Sequence, residues 1–262
     1  MAKSLTTIML LKKLIKNLKE PKRKISIRGL ASDSKNVQKG FIFFAIKGHK
    51  INGEKFIKDA IKKGASAIVC SKNCKYTNKN TPVIKSSNVR YLLSKIASNF
   101  FKLKPKNLIA VTGTNGKTSV ADYFYQILNF LNIPVASIGT LGIKYKDKII
   151  KTNLTSPDTI FLHQALEKIK KESIDNVIIE ASSHGLHQKR LDHINFKAGI
   201  FTNLSQDHLD YHKTMRSYFN AKLILFKNIL SKKNVVITDK SINQFSKIKK
   251  ISIKKQLKLT ET

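Results

Sequence analysis

The stretch "VTGTNGKTSV", Val111 to Val120, decides how this chain folds. It follows "LIAVT" (Leu108 to Thr112), an apolar run that reads as a buried strand. It opens a pattern in which Val120, Phe124, Ile127, Leu128 and Leu131 recur at helical spacing. Strand, glycine loop and helix in that order are the context of a phosphate-binding loop. Gly113 and Gly116 let the backbone curl so that several N–H groups point inward, and the helix N-terminus adds partial positive charge. Lys117 can reach the β and γ phosphates of a nucleotide, and the Thr118 hydroxyl can ligate Mg2+. The common form of such a loop has glycine where this chain has Val111, so the spacing here is the shorter G-x-x-G-K-T. An ordinary glycine turn is the bland alternative, and the flanking strand and helix argue against it.

Outward from the loop, further strands are predicted at "PVASI" (134–138), "NVIIE" (176–180), "AGIFT" (198–202) and "NVVIT" (234–238). Helical patterns separate them, one through Leu162, Ala165, Leu166 and Ile169 and another from Tyr218 to Ile229. This alternation predicts a mostly parallel sheet with helices on both faces. On the N-terminal side, "FIFFAI" (41–46) and "ASAIVC" (65–70) read as buried strands around a helix closed by Gly64. "NVRYLLSKIASNFF" (88–101) reads as a helix, and "KLKPKN" (102–107) as a linker. The expected organisation is an N-terminal α/β domain over residues 1–105 and a phosphate-loop α/β domain over 106–262. Ile8, Leu11, Leu14, Ile15 and Leu18 predict an amphipathic first helix rather than a secretory signal. The last segment, "SINQFSKIKKISIKKQLKLTET", shows no clear closing element, as if the chain stopped inside a domain.

A hydrophobic content of 41% is compatible with real cores, and no apolar run reaches membrane-spanning length. Cys70 and Cys74 have no matching second pair, so two reduced thiols in a cytoplasmic protein are expected rather than a zinc site or disulfide framework. The formal charge is +34, which raises nucleic acid as a partner. Against that, only Arg23, Arg28, Arg90, Arg190 and Arg216 are arginines, and the lysines are spread along the whole chain among Ile and Asn. Arginine is the residue that forks onto phosphate and guanine. Neither nucleic-acid binding nor membrane insertion is expected.

Several motifs agree with one another. "TGTNGKTS" is followed by "NLTSPDT" (153–159), "IIEASSHGLHQKRL" (178–191), "FTNLSQDHLDYH" (201–212) and "SYFNAKLILF" (217–226), and preceded by "SDSKNVQKGFIFFAIKGHKINGEKFI" (32–57). Together they closely resemble the Mur ligase family, in particular the branch that adds the third residue of the peptidoglycan peptide. The resemblance covers nearly the whole chain, and "EASSHGL" with "NLSQDHLDYH" is particular to that branch.

The resemblance implies an ATP-dependent amide ligase joining meso-diaminopimelate to UDP-N-acetylmuramoyl-L-alanyl-D-glutamate through an acyl phosphate, with Mg2+. It implies an ATP loop of Gly113, Thr114, Asn115, Gly116, Lys117, Thr118 and Ser119. Metal ligands would be Thr118, Glu180, His208 and a carbamylated Lys222, with Lys117 and Lys222 serving the reaction. From the residues alone, Lys222 reads as a snorkelling surface lysine, and a histidine is an unusual partner for Mg2+. Ser182, Gln188 and Arg190 match one substrate-binding segment, and Asn153, Leu154 and Thr155 another in which the family often has two threonines. Ser32, Ser34, His49 and Lys50 match the uridine-nucleotide pocket. His163, His184, His187 and His193 receive no catalytic role, and His212 a structural one. Family members are roughly twice this long, with a third domain, so a shortened chain, a separate C-terminal partner fragment and a non-catalytic nucleotide-binding module are also expected readings. A lysine-adding or folylpolyglutamate-type ligase is the nearest alternative chemistry.

Overall fold

The computed structural model describes residues 8–15, 24–48, 51–146 and 148–262. The chain divides into two compact units, residues 1–102 and 103–262.

The first unit begins with β1 (Met9–Leu10), α1 (Leu11–Leu14) and β2 (Ser26–Ile27), where β1 and β2 pair antiparallel. Leu11, Leu14 and Ile15 are buried as the periodicity predicts, whereas Ile8, placed on the same face, is exposed. Within the described residues, however, they form a strand pair and a single helical turn rather than a long helix, and Leu18 lies outside the described residues. Backbone pairing of Met9 and Leu10 with Ile27 and Ser26 takes the place of helical bonds. Next come β3 (Gly29–Ala31), β4 (Phe41–Phe44), α2 (Ile57–Lys62), β5 (Ala67–Ser71), β6 (Val83–Ser86) and α3 (Val89–Phe100). The strands β3-β4-β5-β6 form a parallel sheet in that order. Phe43, Ile57, Ala60 and Ile68 make one core against it. α3 starts at Asn88, whose side chain accepts from the Tyr91 N–H, and buries Leu93, Ile96, Ala97 and Phe100 at helical spacing.

The second unit carries β7 (Asn107–Thr112), α4 (Lys117–Phe130), β8 (Val135–Gly139), β9 (Gly142–Tyr145), β10 (Lys148–Ile150) and α5 (Thr159–Lys171). It continues with β11 (Asn176–Glu180), α6 (Ser183–His187), β12 (Ala198–Phe201), α7 (Leu209–His212), α8 (Met215–Ile224), β13 (Val235–Thr238), α9 (Phe245–Lys255) and β14 (Lys258–Glu261). The sheet order is β10-β9-β8-β11-β7-β12-β13-β14. From β8 to β14 neighbours run parallel, and β9 and β10 add an antiparallel edge. The final segment, expected to lack a closing element, holds α9 and β14. Ile248 and Ser252 are buried on α9, one turn apart, and β14 extends the sheet beside β13.

The connection after β7 runs to β8 past β11, while the connection after β11 crosses to β12 on the other side of β7. The order reverses there, and in an open parallel sheet the crevice at such a reversal, beyond the strands' carboxyl ends, receives ligands. Thr112, Glu180 and Phe201 are the last residues of the three strands that meet at it.

The two faces of this sheet are covered unequally. One is sealed by a large core including Leu162, Leu166, Phe196, Leu223, Phe226 and Ile248. On the other, α4 lies over β7, β8 and β11, where Val111, Ala121 and Ile178 pack together. Ile200 pairs with Val111 and with Ile237, and Ala198 with Val235, so β12 and β13 continue that same face. There Ile200, Val235 and Ile237 are only half-buried. Tyr123, Ile127, Phe130 and Leu131 of α4 and its end are exposed, Phe130 to 85%.

Candidate active site

The glycine loop leaves β7 and turns into α4. Gly116 has φ +81°, a left-handed backbone that other residues rarely adopt. At Gly113 a Cβ would stand 1.8 Å from Thr202 Oγ, so only glycine lets the loop lie this close to the end of β12. The segment after β12 holds the loop in shape. The Thr114 N–H donates to Asn203 O (3.0 Å) and the Asn115 N–H to Asn203 Oδ1 (2.9 Å). Thr114 Oγ exchanges hydrogen bonds with the Ser205 backbone at 3.2 and 3.0 Å, and Thr202 Oγ donates to Asn115 O at 2.6 Å. The loop is therefore preorganised by residues about ninety positions downstream.

Two lysines converge on it. Lys117 Nζ donates to the carbonyls of Gly113 (3.0 Å) and Thr114 (2.7 Å). Lys222 Nζ, from α8, donates to the Gly113 carbonyl and lies 4.3 Å from the centre of the Tyr218 ring. Lys222 is 1% exposed, so the surface-lysine expectation is corrected: α8 turns this residue inward among Tyr218, Ala221 and Leu223. Burial, reinforced by the Lys117 ammonium, lowers its pKa to about 7. Burial also lowers that of Lys117, against the opposing pull of Glu180 and Asp207. A π-helical turn, Leu225–Ile229, follows α8 directly.

Glu180 ends β11 and is 1% exposed. Its Oε1 accepts from the Thr140 N–H (2.8 Å), and its Oε2 from Thr118 Oγ (2.9 Å) and Thr140 Oγ (3.2 Å). Oxygen ligands suit Mg2+, and Glu180 with Thr118 at the mouth of a phosphate loop forms such a pair. Among the described residues, no group of three or more His, Cys, Asp or Glu side chains stands ready to hold a metal. His208 lines the same cleft as Lys117, Thr118, Glu180 and Lys222. Its ring stands 4.8 Å from that of His184 and its Nε2 3.4 Å from Asp207 Oδ2. His212, given a structural role above, is buried beside Tyr218.

Thr155 and Ser182 line the cleft as well. Ser182 caps α6 by accepting from the Gly185 N–H (3.0 Å) and is tied to Ser156 Oγ (3.0 Å). Arg190 donates to Ser156 O (2.7 Å) and Gln188 Oε1 (2.8 Å), so the two side chains are joined in one network. Asn153 and Leu154 are exposed on the segment leading to Thr155, and Asn115 and Ser119 on the loop and the first turn of α4. In the first unit, Ser32 is exposed and Ser34 buried just beyond the carboxyl end of β3, where Lys63 Nζ donates to Ser34 O at 3.1 Å. His49 and Lys50 lie outside the described residues.

Sequence reasoning missed Thr140, Ser156, Asn203 and Tyr218. Thr140 had a usable signal: like Glu180, it stands at the carboxyl end of a buried strand, in "ASIGT". The other three lie inside the quoted motifs, but only the fold shows their distant partners, Glu180 for Ser156 and Thr114 for Asn203 and Tyr218.

Residues 111–261 match the Mur ligase middle domain, and residues 26–101 match the Mur ligase family catalytic domain. The chain belongs to the Mur ligase family. Among Mur ligases, it is 42% identical over 208 residues to the UDP-N-acetylmuramoyl-L-alanyl-D-glutamate--2,6-diaminopimelate ligase of Brucella melitensis, covering 79% of this chain and 43% of that protein. The ligase of the same name from Rickettsia bellii is 38% identical over 247 residues, covering 92% and 50%. A solved ligase of that name superposes with a TM-score of 0.83 at 27% identity, covering 97% of this chain and 52% of that one. The fold is shared more distantly with a MurF ligase from Thermotoga maritima in complex with ADP, with a TM-score of 0.57 at 17% identity over 88% of this chain and 49% of that one. This Mur ligase chain thus spans about half the length of the curated relatives it matches.

Proposed function

We propose that this chain supplies the two substrate-holding units of an ATP-dependent amide ligase that joins meso-diaminopimelate to UDP-N-acetylmuramoyl-L-alanyl-D-glutamate. The observation that carries this is the convergence of Lys117, Thr118, Glu180 and Lys222 at the mouth of the glycine loop, in a cleft that Thr155 and Ser182 also line. The similarity to the diaminopimelate ligases favours the substrate. In this reading residues 1–105 hold the uridine nucleotide through Ser32, Ser34, His49 and Lys50, and residues 106–262 hold ATP.

The reaction needs no protein nucleophile. The γ-phosphoryl group of ATP passes to the D-glutamyl side-chain carboxylate, the amine attacks the resulting acyl phosphate, and phosphate leaves. What the protein contributes is positioning of two anions and offset of their repulsion. Residues 113–119 direct backbone N–H groups and the α4 N-terminus at the phosphates. Lys117, now bonded to loop carbonyls, turns its ammonium to the β and γ phosphates. Gln188 and Arg190 orient the muramoyl peptide, with Asn153, Leu154, Thr155 and Ser182 alongside. Thr118, Glu180, His208 and Lys222 would hold Mg2+, which when bound offsets charge on the phosphoryl oxygens. Lys222 takes that role as a carbamate. With its pKa near 7, a large share of the amine is neutral at physiological pH and open to CO2. Exposed apolar residues beside the half-covered sheet face suit a polypeptide partner, for which a separate C-terminal ligase fragment is the candidate.

Calorimetry with Mg·AMP-PNP and with UDP-N-acetylmuramoyl-L-alanyl-D-glutamate tests the reading. Wild-type chain binds both. Lys117→Ala and Glu180→Gln each weaken the nucleotide about tenfold or more, as expected for loss of a charge-assisted contact. Unchanged affinity in both variants would sink the assignment.

A further inference from the structure

Among the described residues, Glu180 receives no cationic hydrogen-bond donor, and two of the three hydrogen bonds to its carboxylate come from Thr140. The N–H of Thr140 reaches Oε1 at 2.8 Å and its hydroxyl reaches Oε2 at 3.2 Å. Gly139 makes the approach possible, because a Cβ there would lie 2.0 Å from Oε1. The same Thr140 hydroxyl stands 3.1 Å from Thr155 Oγ. A hydroxyl has one proton, and a carboxylate can only accept. The proton of Thr140 therefore goes to Glu180, and Thr155 donates to Thr140. The chain of bonds runs one way: Thr155 to Thr140 to Glu180, with Thr118 of the glycine loop donating to the same Oε2.

We propose that Thr140 is a positioning residue that couples the nucleotide side of the cleft to the segment Asn153–Thr155, so that filling one side tightens binding at the other. The inference rests on the function proposed above. A ligand that draws on Glu180 Oε2 competes with both hydroxyls bonded there. When Thr140 loses that acceptor, its proton is free to turn to Thr155, and the Thr155 proton is released toward the cleft. A substrate carboxylate or carbonyl beside Thr155 then finds a donor that was previously engaged. By linkage the effect is reciprocal.

The test is the affinity of UDP-N-acetylmuramoyl-L-alanyl-D-glutamate with and without saturating Mg·AMP-PNP, measured by calorimetry on wild-type chain, Thr140→Val and Thr140→Ser. Wild type binds the sugar nucleotide about fivefold tighter or more when the nucleotide is present, the lower range of measured couplings. Thr140→Val keeps the backbone N–H bond to Glu180 and the side-chain shape, so each ligand alone binds within about threefold of wild type while the enhancement disappears. Thr140→Ser restores it. A valine variant with the full enhancement, or a serine variant without it, overturns the role of the hydroxyl. If wild type binds both ligands with no enhancement, the coupling alone is wrong. If it binds neither, the site assignment fails and the coupling falls with it.

Discussion

His163 on α5 is fully buried, and neither ring nitrogen has a hydrogen-bond partner among the described residues. Burial, then the nearby charges of Lys104 and His193, push its pKa down to about 3. The unfolded chain takes up this proton near pH 6.5, and the folded one does not. The contribution to stability is therefore complete above about pH 6.5 and is lost as pH falls toward 3, by at most ~1.4 kcal/mol per pH unit. His163→Phe removes this dependence, so thermal unfolding followed from about pH 7 to pH 4 should show a shallower fall than wild type. Parallel curves would show that His163 carries no such penalty. Lys222 obeys the same physics, with burial lowering its ammonium pKa to about 7 beside the phosphate loop.

At the scale of elements, α8 matters most, since it brings both Tyr218 and Lys222 to the cleft. Its start is fixed by Thr214, whose side chain accepts from the Ser217 N–H at 3.1 Å. Losing such a cap costs about 1 kcal/mol, so Thr214→Ala should lower the urea midpoint accordingly while Thr214→Ser leaves it nearly unchanged. Equal midpoints for all three would mean that tertiary packing alone sets the helix start. α5 begins in the same way, with Asp158 accepting from the N–H groups of Ile160 and Phe161 at 3.1 Å.

At the scale of the whole molecule, the parallel sheet of residues 103–262 has one sealed face and one half-open one. Exposed apolar surface on this scale marks an interaction site, and α4 supplies its most prominent residue in Phe130. Phe130→Asp should change unfolding stability by no more than ~0.5 kcal/mol, because little is buried there. A destabilisation of several kcal/mol would instead place Phe130 in a core. Nor does any helix of the described residues reach the length and apolarity needed to cross a membrane.

Strands β7, β8, β11, β12 and β13 were legible because strands covered on both sides need continuous apolar runs, and "LIAVT", "PVASI", "NVIIE", "AGIFT" and "NVVIT" are such runs. The hairpin β9–β10 and the edge strand β14 were not, since edge strands carry mixed sequences held by their neighbours' backbone. Nor was the start of the described chain, where Met9 and Leu10 pair with Ile27 and Ser26 ahead of a single helical turn, Leu11–Leu14. In the site, the glycine loop, Lys117, Thr118 and the strand-terminal carboxylate Glu180 could be read from the residues alone, because the chemistry of a phosphate turn is written in adjacent residues. That Lys222 is buried on the loop carbonyl, and that Thr140 bridges Glu180 and Thr155, follows from the folded chain. Burial and hydrogen-bond direction depend on which distant segments meet, and no local pattern encodes that meeting.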